Sequence, residues 1–181
     1  MSEAIRLSLP ASKAELAKLC AGDEVLLSGT MYTMRDAGHE RTLLHLAETD
    51  ELPYGLEGQT LFYAGPTPAA AGRPLGSIGP TTASRMDFAT PQLFEAGIGS
   101  CVGKGKRNAS VTKACVQHGC VYFACVGGIA ALLASCITDC TAVAWEDLGT
   151  EALRKLVVKD LPAFVAIDTQ GNDLYRMIEQ A

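Results

Sequence analysis

The sequence has no run of Lys and Arg long enough to neutralise a nucleic-acid backbone. Fifteen basic residues stand against 20 acidic ones, for a formal net charge of −5. Nucleic-acid binding needs a basic face and is disfavoured, so any bound anion must be small and met by a few local cations. Charged residues are only 19% and hydrophobic ones 48% of the 181 residues, which argues against disorder and suits one domain with its own core. A phosphate-binding loop is also missing. Gly103-Lys104 could close one, but Ile98 stands where its first glycine belongs and Gly105 where Ser or Thr belongs. The dinucleotide pattern fails as well, because Gly97-x-Gly99 is followed by Val102 at the third glycine position. The opening MSEAIRLSLPASKAEL has an early Glu3 and no apolar segment, and does not read as a secretory signal. The longest apolar run, Cys120 to Ile137, has 18 residues and touches the lower limit for a membrane span. Gly127-Gly128 in its middle favours a buried strand, a turn and a short buried helix instead, with no membrane contact.

Seven cysteines is an odd count, and several lie inside apolar runs. That pattern fits small hydrophobes in a reduced, cytoplasmic setting better than a disulfide framework. The spacing Cys115-x4-Cys120-x4-Cys125 does not match common cluster motifs. An extended segment over Cys120–Cys125 would also point its ends to opposite faces, so metal ligation by this trio is disfavoured. No local motif supports a catalytic Cys–His pair.

Strand-like and helix-like stretches alternate. Strands are expected at Ile5–Leu9, Glu24–Thr33, Thr60–Tyr63, Ile98–Val102, Val121–Val126, Ala142–Trp145 and Phe164–Ile167. Helices are expected at Lys13–Leu19, after an Asp36 cap with Leu43, Leu46 and Ala47 on one face, from Thr81 to Phe94 with a break at Pro91, and at Asn108–His118, Ile129–Ile137, Thr150–Val157 and Leu174–Glu179. Gly65–Gly76, rich in Pro, Gly and Ala, reads as a loop. Continuous apolar strands indicate a sheet covered on both faces. The fold class is therefore α/β, one domain over 1–181 with a mixed sheet, and the first third is expected to include antiparallel pairing.

Three cations follow strand ends. In GPTTASRMD, a helix starting at Thr81 would set its hydroxyl and the Arg85 guanidinium on one face at i and i+4, beside free N–H groups that attract an anion. The alternative is a capping Thr and a solvated Arg. Arg35 follows an extended segment, either as a crevice-facing cation or as a surface pair with Asp36. His39 is either ligand-facing or an ordinary first-turn helix residue. Lys104, between Gly103 and Gly105, is either aimed at a small anion or part of a flexible basic turn. Such a trio suits a dicarboxylate.

LSGTMYTMRDAGHER, FYAGPTP, GPTTASRMD, VGKG, AWEDLG and IDTQGN, taken in order from Asp23 to Asn172, resemble the β subunit, or C-terminal domain, of the iron–sulfur hydro-lyases. Class I fumarate hydratases and L(+)-tartrate dehydratases belong to that family. The resemblance implies a swivelling β/β/α fold and a [4Fe–4S] cluster held by a partner α subunit, with no metal on this chain. It further implies an α2β2 assembly and reversible dehydration of a 2-hydroxy dicarboxylate. Malate to fumarate is the reaction it implies first, tartrate to oxaloacetate the alternative, and a non-catalytic dicarboxylate-binding module a third. By motif, Arg35, Arg85 and Lys104 become substrate-binding cations and Thr81 a proton-transfer residue, with Thr82, Asp87 and His39 in support. One departure is Lys106-Arg107, where family members often carry a further Gly. These two cations either tune diacid preference or face solvent.

Overall fold

The computed structural model describes residues 3–180. Its strands are β1 (Ile5–Leu9), β2 (Glu24–Thr33), β3 (Thr60–Phe62), β4 (Ser100–Gly103), β5 (Val121–Ala124), β6 (Ile137–Ala144) and β7 (Leu153–Ile167). Strands β1 to β5 run parallel in sequence order, and β7 pairs antiparallel with β5, β6 and β2. The β2–β7 pairing closes β2, β3, β4, β5 and β7 into a barrel-like ring, with β1 and β6 outside it. The sheet is mixed and the fold α/β. The antiparallel partner of the first third comes from the far end of the chain, because β1, β2 and β3 are mutually parallel.

Alternate side chains along the strands enter two separate cores. Phe62, Val102, Val121, Phe123 and Val165 fill one, whereas Leu61, Tyr63, Cys101, Tyr122 and Ala166 pack on the other side. Both faces are therefore covered, which is why these strands read as unbroken apolar runs. Cys120 and Cys125 fall in opposite cores.

The helices are α1 (Lys13–Leu16), α2 (Asp36–Thr49), α3 (Thr90–Glu95), α4 (Ala109–His118), α5 (Ala130–Ser135) and α6 (Leu174–Glu179). Helix α4 follows its sequence signals closely. Asn108 Oδ1 accepts the N–H groups of Ser110 and Val111, and left-handed Gly119 ends the helix. Among the described residues no helix is long and apolar enough to cross a membrane.

Several expectations fail for identifiable reasons. Thr150–Val157 is not a helix. A 3-10 turn at Glu146–Glu151 leads into β7, whose edges are taken by β2 and β6 over this stretch. The expected strand Phe164–Ile167 is only the end of that long strand, and β6 begins at Ile137, inside the expected fifth helix. No continuous helix spans Thr81–Phe94. Thr82 bridges to Lys104, a 3-10 turn covers Ala83–Met86, and Pro91 sits in the first turn of α3, where its missing N–H costs nothing. Asp36 does not cap α2. Arg35 holds the cap position and Asp36 is the first helical residue; Gly38, His39 and Thr42 are buried, Leu43 and Leu46 of the expected face pack partly buried against the same core, and Ala47 is exposed.

Candidate functional site

Arg35 lies two residues past the end of β2, and Lys104 directly follows β4. Thr81 is brought to the end of β3, its N–H donating to the Tyr63 carbonyl at 2.7 Å. The three neighbouring parallel strands thus deliver their candidate residues to one end of the sheet, the carboxyl end, where open α/β sheets place ligands.

The Thr81 N–H is consequently spent on the sheet and is not a free helix-end donor. Arg85 lies in the 3-10 turn, so the helical i and i+4 relation with Thr81 does not exist. Arg85 reaches instead toward Asp36 and donates from Nε to Oδ1 at 2.9 Å. Arg35 lies on the other side of the same carboxylate, with its Nε 3.9 Å from Asp36 Oδ2, and its terminal nitrogen is 3.4 Å from Glu151. Glu151 also accepts the Ala37 N–H at 3.1 Å, so a distant carboxylate caps α2 beside Arg35. The buried Arg35 Nε and Asp36 Oδ2 have no hydrogen-bond partner. Arg35 and Arg85 therefore meet around one carboxylate, although Arg85 and Asp36 are 49 residues apart in sequence.

Lys104 is joined to this group through the backbone. Its N–H donates to the Thr81 carbonyl at 3.3 Å, and its carbonyl accepts from Ala83 at 2.9 Å. Its side chain heads elsewhere, lining a cavity of about 470 Å³ with Thr82, Gly105, Cys125, Phe164 and Tyr175. No described side chain hydrogen-bonds the Thr81 or Thr82 hydroxyl.

His39 is fully buried. Its ring Nδ1–H donates to the Arg35 carbonyl at 2.8 Å, and the carbonyl also accepts the His39 backbone N–H at 2.9 Å. The ring meets Tyr63 edge-on at 5.1 Å between centroids. Burial pushes its pKa down to about 4, so it sits there neutral. Its place is beneath the backbone of Arg35, not on the surface.

Arg107 was expected either in solvent or near the diacid, and occupies neither place. Only 6% exposed, it donates from Nε to Asp87 at 2.5 Å and from a terminal nitrogen to Thr90 at 2.6 Å. Its guanidinium stacks over the rings of Tyr63 and Tyr122. The other Asp87 oxygen accepts the Asn108 N–H at 2.8 Å. Asp87 therefore ties the turn carrying Arg85 to the loop carrying Lys104. Lys106 pairs with Glu179 on the surface. Sequence offered one signal for this knot, an Arg directly preceding a helix cap, and no signal for the two tyrosines that bury it.

The fumarase C-terminus family model matches residues 1–178. The chain belongs to the fumarase C-terminus family. A fumarate hydratase 2 of Leishmania major is 39% identical over 90% of this chain and 29% of its own length. The anaerobic class I fumarate hydratase of Escherichia coli is 39% identical over 91% of the chain and 30% of its own length. The chain thus spans about a third of these relatives. A Methanocaldococcus jannaschii protein, provisionally designated L(+)-tartrate dehydratase subunit beta, is 34% identical over 93% of the chain and 90% of its own length. Within the fumarase C-terminus fold of this chain, then, Arg35, Thr81 and Lys104 sit at the ends of β2, β3 and β4, with Arg85 in the following 3-10 turn.

Proposed function

We propose that this chain is the diacid-holding part of a hydro-lyase, acting with a partner α subunit in an α2β2 assembly to interconvert malate and fumarate. The observation that supports the reading is the meeting of Arg35 and Arg85 around Asp36 at the end of the sheet to which the backbone also brings Thr81 and Lys104. Guanidinium groups grip carboxylates as planar forks, so two of them orient a substrate as well as attract it. Dehydration removes a proton from the carbon next to the one that loses hydroxide. Thr81, half-buried and with no described side chain bonding its hydroxyl, is the group of this chain proposed to handle that proton. A threonine hydroxyl is a weak base and needs the neighbouring cations to favour its ionised form.

Among the described residues no group of three or more His, Cys, Asp or Glu side chains is placed to hold a metal ion. In this reading the cluster belongs to the partner, and no step here is routed through it. The relative matched over 90% of its length favours tartrate as a second reading.

The test is turnover of malate and of L(+)-tartrate by the complex assembled anaerobically with its cluster-bearing partner. Arg85→Ala should lower kcat/KM by about 100-fold or more. A cluster-loaded complex that dehydrates neither acid would remove the enzymatic reading, and preference for tartrate would replace malate as the substrate.

A further inference from the structure

We propose that Asp36 is a positioning residue that holds Arg85 by its Nε and so leaves the two terminal nitrogens of that guanidinium to the substrate carboxylate. The inference rests on the functional reading above and adds a role to a residue outside the trio of cations.

An arginine can grip a carboxylate in two ways, side-on through Nε and one terminal nitrogen, or end-on through both terminal nitrogens. The 2.9 Å bond from Nε to Asp36 Oδ1 removes the first option. The terminal nitrogens of Arg85 hydrogen-bond to no described residue, and its side chain is about half exposed, at 49%. Asp36 is the more buried partner, at 27%, and is anchored in the first turn of α2, whose start is itself capped by Glu151. The more rigid group therefore orients the more mobile one. Asp36 also sets the spacing between the two guanidiniums, because its second oxygen faces Arg35 Nε at 3.9 Å, too far for a hydrogen bond. That orphaned pair can close only if the carboxylate turns, which would weaken its hold on Arg85. The arrangement favours a single orientation of Arg85 in the absence of ligand, and a preset fork loses less freedom when a diacid binds.

The test is a double-mutant cycle in the assembled complex, with Arg85 Nε–H exchange followed by NMR in the ligand-free chain. Asp36→Ala should raise KM for the diacid about tenfold with kcat within about threefold, because the fork serves ground state and transition state alike. Asp36→Asn, which keeps an acceptor oxygen, should stay within about threefold of wild type. In an Arg85→Gln background, Asp36→Ala should cost less than about twofold more, since nothing remains to position. The Nε–H of Arg85 should exchange slowly in the wild-type chain and fast in Asp36→Ala. Equal costs of Asp36→Ala in both backgrounds, or fast Nε–H exchange in the wild type, would overturn the proposal. If the assembled pair acts on neither malate nor tartrate, the functional reading falls, and the exchange experiment still decides whether Asp36 holds Arg85.

Discussion

His39 shows how a buried ring supports a site without entering it. Its Nδ1–H and its backbone N–H share the Arg35 carbonyl, and its Nε2 has no donor within reach. A neutral imidazole satisfies this arrangement, while protonation would put an unpaired charge between the Tyr63 ring and Arg107. The folded pKa near 4 lies below the ordinary 6.5, so between those values the unfolded chain binds a proton that the folded chain refuses. Stability from this group is therefore complete above pH 6.5 and is lost as pH falls toward 4. The loss should reach about 3 kcal/mol. Urea unfolding at pH 7 and pH 4.5 should show the wild type losing stability more steeply than His39→Phe. Parallel profiles would remove His39 as the origin.

At the scale of elements, two close approaches hold the strand ends in place. Where the end of β1 pairs with β2, Gly29 adopts φ 124°, and a Cβ there would lie 2.2 Å from the Leu9 carbonyl oxygen. Backbone against backbone has no cheap escape, so Gly29→Ala should cost several kcal/mol, roughly 3 or more. The KM of the assembled complex, measured well below the melting temperature, should stay unchanged, because Gly29 lies mid-strand against β1, six residues before Arg35. A raised KM would mean that the bend itself sets the site. The second approach is the buried Arg107–Asp87 pair. Removing one member strands a desolvated charge, and Asp87→Ala should cost about 3–5 kcal/mol, while the joint change Asp87→Leu with Arg107→Met should cost less. Thermal unfolding in which the double variant is the weaker would contradict that account. Sequence made part of this legible. β5, the Gly127-Gly128 turn and α4 follow from apolar runs, paired glycines and an Asn cap acting over a few residues. β7 was misread over Thr150–Val157 because Leu153, Leu156 and Val157 satisfy a helical spacing as well as a strand, and the partners that decide between them are remote. The three cations could be picked out one by one from their positions after strands. Their link through Asp36, and the burial of Arg107, depend on contacts between distant segments that no local pattern encodes.

At the scale of the whole molecule, those remote partners are what close the sheet. Pairs between β2 and β7 join residues from 121 apart in sequence, Thr33 with Arg154, to 140 apart, Glu24 with Phe164. β7 is also the strand to which β5 and β6 attach. Loop-closure entropy must be met before such pairs form, so they assemble late and have no partial substitute once broken. The ring should open only when the molecule unfolds. The residues proposed to meet substrate lie beyond its strands, in turns and loops that need not break a β2–β7 bond to move. Native-state hydrogen exchange should therefore divide the chain into two classes. Amides of Leu27, Met31, Leu156 and Leu161 should exchange at the free energy of global unfolding, whereas those of Gly65–Gly76 and Leu174–Glu179 should exchange through smaller openings insensitive to denaturant. If β7 amides joined the second class, the barrel would breathe as a unit with the site. Adjustment of Arg35, Arg85 and Lys104 around a diacid would then have to be sought in the sheet rather than in the loops above it.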